Sequence, residues 1–148
     1  MMFPGRHPQE GAAAVEFAII LPILIILVFG IIEFSVILFD KAMITNASRE
    51  GARAGIVYRY DPVNEVEDPL DTTEIQNVVN NYCQNHLISF GGPGNLQVNV
   101  AWENQPVTND PVLRVTATYK YNFLVLPNFI TTLTGDIDLA ATTVMRME

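Results

Sequence analysis

The sixteen residues from Phe17 to Ile32 (FAIILPILIILVFGII) carry no charge, and this run limits the possible architecture more than any other feature of the chain. If Glu33 is tolerated, the apolar stretch extends through Phe39 and makes about 34 Å of helix, enough to span a bilayer. A cleaved secretory signal would have a shorter apolar core followed at once by a small-x-small cleavage site; here Glu33, Phe34, Ser35, Val36 and Ile37 follow instead. No lipidation cysteine follows either. Pro22 and Gly30 would weaken a soluble helix, but both are common in membrane helices, where neighbouring groups satisfy the freed carbonyl. The segment therefore reads as a retained transmembrane helix over 12–39.

The helical pattern continues past the apolar run. Residues 40–57 (DKAMITNASREGARAGIV) contain no proline and keep apolar or small side chains at Met43, Ile44, Ala47, Gly51, Ala54 and Gly55, so one long helix, first greasy and then amphipathic, is expected. Ala47, Gly51 and Gly55 recur every fourth residue and strip one helix face of side chains, which lets another backbone approach closely. That backbone can belong to this chain's own domain or to a second subunit.

Roughly a hundred residues remain, enough for one small domain and no second core. Asp61 to Asp71 reads as an acidic, proline-containing linker. Thr73 to Ile88 reads as an amphipathic helix, with Ile75, Val78, Val79, Tyr82 and Leu87 on a helical repeat and Thr73 with Gln76 in capping-box spacing. The GGPG turn at Gly91–Gly94 is followed by three runs of period-two alternation. Leu96, Val98, Val100 and Trp102 share one face; Leu113, Val115, Ala117, Tyr119 and Tyr121 the next; Ile137, Leu139, Ala141, Thr143, Met145 and Met147 the third. Alternation of this kind gives strands with one buried and one wet face. The expected fold class is α+β, a long N-terminal helix followed by a domain (58–148) with one helix packed on a three-stranded antiparallel sheet. Phe123 to Leu133 is too apolar for an ordinary loop and is expected to cap the core or touch the membrane surface.

Charge narrows the function classes. The net charge is -8, and residues 61–148 hold eleven acids against three bases while residues 1–60 are balanced, so an acidic head disfavours nucleic acid as a partner. Two histidines exclude a multi-histidine metal site, and the single cysteine forms no intramolecular disulfide. Cys83 and His86 lie three apart on a predicted helix and could pair, but no further ligand supports a metal or thiolate site there, and the structural reading is favoured. The GGPG stretch lacks the lysine and Ser or Thr of a phosphate loop. Trp102 and the strand tyrosines read as core. No catalytic constellation, cofactor or metal site is expected. Two acids in the apolar run need explaining, because a carboxylate at membrane depth is costly: Glu33 is expected to lie at the far interface and reach water, and Glu16 heads the run.

The context of Glu16, GAAAVEF over Gly11–Phe17, resembles a type IV prepilin processing site, with a glycine before the cut and a glutamate as the fifth residue after it. With Leu21–Pro22, Gly30 followed by Glu33, and Ala47 with Arg49, Glu50, Gly51, Ala52 and Arg53, residues 11–53 resemble the TadE family, pseudopilins of the Tad or Flp pilus system. The resemblance implies a leader over 1–11, cut between Gly11 and Ala12 by a cytoplasmic-side prepilin peptidase. It implies assembly through Glu16 and Phe17, the Ala12 amine and Glu16 carboxylate neutralising each other between subunits. It further implies a structural, non-enzymatic subunit of the inner membrane. Its C-terminal domain would be extracytoplasmic, its partners other pilin-like subunits, the peptidase and the assembly platform, and its use adhesion or surface colonisation. A plain positive-inside count points the other way, because Lys41, Arg49, Arg53 and Arg59 follow the apolar run and only Arg6 precedes it. The processing motif is given precedence. The competing function is a membrane-tethered binding or sensor domain with no assembly role, and a tethered enzyme stands third.

Overall fold

The computed structural model describes residues 8–61, 66–89, 95–104, 110–124, 135 and 137–147. Helix α1 (Pro8–Gly55) is one continuous element of 48 residues, about 72 Å long. Its most apolar eighteen-residue window has a mean hydropathy of 3.0 and buries nothing against the rest of the chain. Pro22 lies within this free stretch, where its ring removes one backbone donor and frees the Ala18 carbonyl.

From Glu33 onward the same helix becomes a layer of the head domain. Buried positions recur at Glu33, Asp40, Ile44, Ala47, Ser48, Gly51, Ala52 and Gly55, the three-and-four spacing of one helical face. The head thus begins some seven residues before Asp40, and the stretch of α1 clear of it runs over 11–32.

The hairpin of β1 (Arg59–Asp61) and β2 (Val66–Asp68) comes next, paired antiparallel with Tyr60 opposite Glu67. This hairpin falls across the start of the segment that the sequence reads as an acidic linker, 61–71. Pairs of three residues carry too short an alternation to be read from pattern alone. Helix α2 (Thr72–His86) then starts from a cap two residues before the expected one. Asp71 is the N-cap: its carboxylate accepts the Glu74 N–H at 2.7 Å, and Glu74 Oε2 accepts the Asp71 N–H at 3.1 Å. Aspartate is a stronger cap than threonine, and its capping box displaces the expected Thr73–Gln76 pair. Leu87 is extended and closes the helix by donating its N–H to the Cys83 carbonyl.

Strands β3 (Leu96–Asn104), β4 (Pro111–Tyr121) and β5 (Ile137–Arg146) form an antiparallel sheet in that order, with Val98 opposite Ala117 and Ala117 opposite Ala141. The architecture is α+β, as expected. Helix α1 packs on β4 and β5, while α2 packs on β3 and against α1. The central strand supplies the best-buried row, with Leu113, Val115, Ala117, Tyr119 and Tyr121 all closed off from solvent. Along β3 the cover thins: Leu96, Val98 and Val100 are half-buried, and Trp102 is 38 % exposed. Trp102 was expected in the core; it stands near the end of an edge strand on which α2 packs. The Gly91–Gly94 turn and residues 125–133 of the apolar connection lie outside the described residues. Phe123 and Leu124, at the start of that connection, pack against the core.

Both edges of the sheet are clasped by side chains from the helices. The bond from the Lys120 N–H to the Asn95 carbonyl sets the phase of β3–β4 pairing, so the Val98 carbonyl points away from β4. Gln76 Nε2 donates to it at 3.3 Å. On the other side, the bond from Met147 N–H to the Pro111 carbonyl turns the Ala140 carbonyl outward, and Lys41 Nζ donates to that oxygen.

The contact between α1 and the rest of the head depends on glycine. A methyl group at Gly51 would come within 3.0 Å of the Val79 side chain, and one at Gly55 within 3.0 Å of both Leu113 and Ile75. Overpacking of this kind costs about 1–3 kcal/mol, against roughly 1 kcal/mol gained in helix propensity. Gly51→Ala and Gly55→Ala should therefore lower the unfolding midpoint of the full chain in detergent. Gly30→Ala, with open space around it, should not. The check is denaturant unfolding followed by tryptophan fluorescence.

Candidate functional site

Helix α1 carries the residues singled out from the sequence, and the fold divides them into two groups. Gly11, Ala12, Glu16 and Phe17 lie in its free N-terminal part, all exposed. Beyond its own stretch of helix, none of the described residues comes within 4 Å of a methyl group placed at Gly11. Ala47, Gly51 and Gly55 lie in the head, buried against this chain's own core, Gly51 and Gly55 facing α2 and β4. The small-residue face is occupied internally.

Glu33 departs from expectation. Instead of reaching water it is 1 % exposed, and its Oε1 accepts the Tyr121 hydroxyl at 2.5 Å and the Leu124 N–H at 2.9 Å. The reason is the length of β4: Tyr121 is its last residue, and the chain that follows folds back to α1 at this level. Burial pushes the Tyr121 hydroxyl pKa up, with the Glu33 hydrogen bond and charge adding to it, so Tyr121 stays a donor throughout the physiological range. Phe123 stacks edge-on to the Tyr121 ring at 5.9 Å between centroids.

Two helical turns on, Asp40 is also fully buried. Its Oδ1 accepts the Ile88 N–H at 2.9 Å, whereas Oδ2 has no hydrogen-bond partner among the described residues. This residue was not singled out from the sequence beyond its charge. A signal was present, since Asp40 falls seven residues after Glu33 on one helical face. Further along, Ser48 Oγ meets Thr143 Oγ1 at 2.8 Å and ties α1 to β5.

Cys83 and His86 are not brought together. Cys83 is fully buried in the core, and burial, with the Asp40 charge second, pushes its thiol up to about 11. It is a protonated core thiol at neutral pH rather than a nucleophile. His86 points outward, its Nδ1 at 2.8 Å from the Tyr82 carbonyl and its ring stacked on Tyr82. No cluster of three potential metal ligands occurs among the described residues.

These features define a class: a protein with one helix long and apolar enough to cross a membrane, whose distal half is built into a small α+β head. Residues 11–53 match the family described as TadE-like protein. The matched part is TadE-like, and the match points to a pilin-like protein associated with the Tad pilus. No curated protein and no solved structure matches the chain. The matched residues end two positions before Gly55, so they cover the free helix and its buried continuation but none of the sheet.

The state of Asp40 can be tested by pH. Burial raises its pKa above the ordinary carboxylate value, and the Ile88 N–H only partly offsets this. A carboxyl whose folded pKa is raised favours the native state while protonated. That contribution is complete below the unfolded pKa of about 4 and is lost as pH rises through the folded value. Asp40→Asn keeps an acceptor for Ile88 and removes the buried charge. It should be at least as stable as the parent at pH 7 and lose that advantage as the pH falls through the raised folded pKa of Asp40 toward about 4. Unfolding midpoints of both proteins across this range check the sign.

Proposed function

We propose that this chain is a pilin-like structural subunit, a minor pilin or pseudopilin, for assembly of a Tad/Flp-type pilus used in adhesion or surface colonisation. The observation that carries this reading is the coincidence of the TadE-like match with an apolar helix that stands clear of its own head over 11–32 and presents Glu16 on its surface. A helix intended only to anchor has no need of a carboxylate at the start of its apolar run, where an unpaired charge is costly.

In this reading a prepilin peptidase cuts between Gly11 and Ala12. The absence of a side chain at Gly11 lets the enzyme approach the backbone. The new Ala12 amine and the Glu16 carboxylate of a neighbouring subunit then neutralise each other in a water-poor setting, where a charge-assisted hydrogen bond is strong, and Phe17 packs beside them. The partners are other pilin-like subunits, the peptidase and the inner-membrane assembly platform. The protein crosses the inner membrane once with its head outside the cytoplasm. It is not an enzyme, consistent with a protonated Cys83 held apart from His86.

Two changes five residues apart should fail at different steps. Gly11→Val should accumulate as the uncut form. Glu16→Leu should still be cut and inserted, since it only makes the helix more apolar, yet assemble poorly, with Glu16→Gln between it and the parent. Immunoblots of membrane fractions read the size shift and counts of surface pili read assembly. Normal assembly by Glu16→Leu would remove the charge-pairing mechanism, and normal cutting of Gly11→Val would remove the processing step.

Orientation is tested separately. A reporter that is active only in the cytoplasm, fused after Glu148, should be silent, and a strong signal would reverse the topology.

A further inference from the structure

Between Glu33 and Asp40, helix α1 has two unlike sides at the same height. The side toward the head is closed: Glu33 is held by Tyr121 and Leu124, and Asp40 by Ile88. The opposite side is bare and apolar, with Phe34 61 %, Leu38 54 % and Phe39 42 % exposed. These three continue without a break the apolar surface that surrounds the helix below Glu33. Ser35, the polar residue among them, donates its hydroxyl to the Ile31 carbonyl at 2.8 Å, so it adds no unsatisfied donor to that surface. The greasy sleeve therefore ends at Ile32 beneath the head and at Phe39 on the far side, about 10 Å further along the axis. On the head itself, Ile88 is 42 % exposed, and its backbone bond to Asp40 fixes it at this level.

We propose that the underside of the head is seated in the interfacial layer of the bilayer. Ile88 touches acyl chains on one side of α1, and Phe34, Leu38 and Phe39 touch them on the other. The membrane boundary then lies near the level of Phe39 and Ile88, with the carboxyl of Glu33 below it closed inside the protein. The proposal rests on the reading of α1 as membrane-spanning.

Lipid, rather than a second copy of the chain, fits this surface for two reasons. The patch is continuous with the sleeve that the membrane already covers. It is also built of bulky side chains, whereas close helix pairing favours small ones, and the small residues Gly51 and Gly55 are spent inside the head. The attraction is apolar, because a chain of net charge -8 gains nothing from anionic headgroups.

The test uses the full chain in phosphatidylcholine vesicles, with Cys83 left in place because it is fully buried. Single environment-sensitive fluorophores are attached through Ile26→Cys, Leu38→Cys, Ile88→Cys and Arg49→Cys. Labels at 38 and 88 should lose emission to a nitroxide carried near the acyl-chain carbonyl and be shielded from aqueous iodide, while the label at 49 behaves oppositely. The inference is overturned if 38 and 88 respond as 49 does, or if 38 is shielded from both quenchers and the shielding grows with the protein-to-lipid ratio, the mark of a second copy. The label at 26 keeps the two readings apart. Lipid quenching there without quenching at 38 and 88 removes this inference alone, whereas no lipid quenching at 26 removes the membrane-spanning reading with it.

Discussion

The structure depends on how closely the backbone of α1 can approach α2 and β4. At Gly51 and Gly55 the side chains of Val79, Leu113 and Ile75 occupy the space that any β-carbon would need. This contact makes the second half of α1 part of the helical layer that covers the sheet of a small α+β core. The helix supplies Ile44, Ala47 and Ala52 to the same cluster as Leu113, Val115 and Ala117. The head therefore cannot be fully formed without the second half of α1.

The polar groups on that seam explain where the head begins. Glu33 would be an expense in lipid, but the end of β4 supplies it with a phenol and a backbone amide, so the charge is solvated by protein and the apolar helix can run up to it. Asp40 repeats the arrangement less completely, with one oxygen bonded and one not. In the proposed function, Glu16 is the acid that this chain leaves for another molecule to satisfy. Glu33, by contrast, is buried and has its partners in the same chain.

Much of this was legible in the sequence because it rests on periodicity. The uncharged run, the helical repeat through Gly55 and the three alternating strands each state their own element, and the motifs at Gly11, Glu16 and Gly51 fall where the family match falls. What was not legible came from contacts between distant segments. Glu33 lies 88 residues from Tyr121, and nothing local to the helix says that a strand ends beside it. The β1–β2 hairpin was hidden by its length, and the α2 cap by a choice between two nearby candidates that only the geometry of Asp71 and Glu74 decides. Trp102 was misjudged because alternation tells which face a side chain takes, not how far the cover above it extends.

The reach of Lys41 and Gln76 to the two sheet margins has a consequence for crowding. In the proposed function, anchored chains diffuse in two dimensions and meet one another side by side, with their heads held at a common height. Under those conditions an open strand margin invites zipping between neighbours into a continuous ribbon. Each margin here has an outward carbonyl already taken by a long side chain from a helix, so a neighbouring strand would have to evict it before pairing. Within the proposed function, the occupied carbonyl on each margin thus raises the barrier to such zipping.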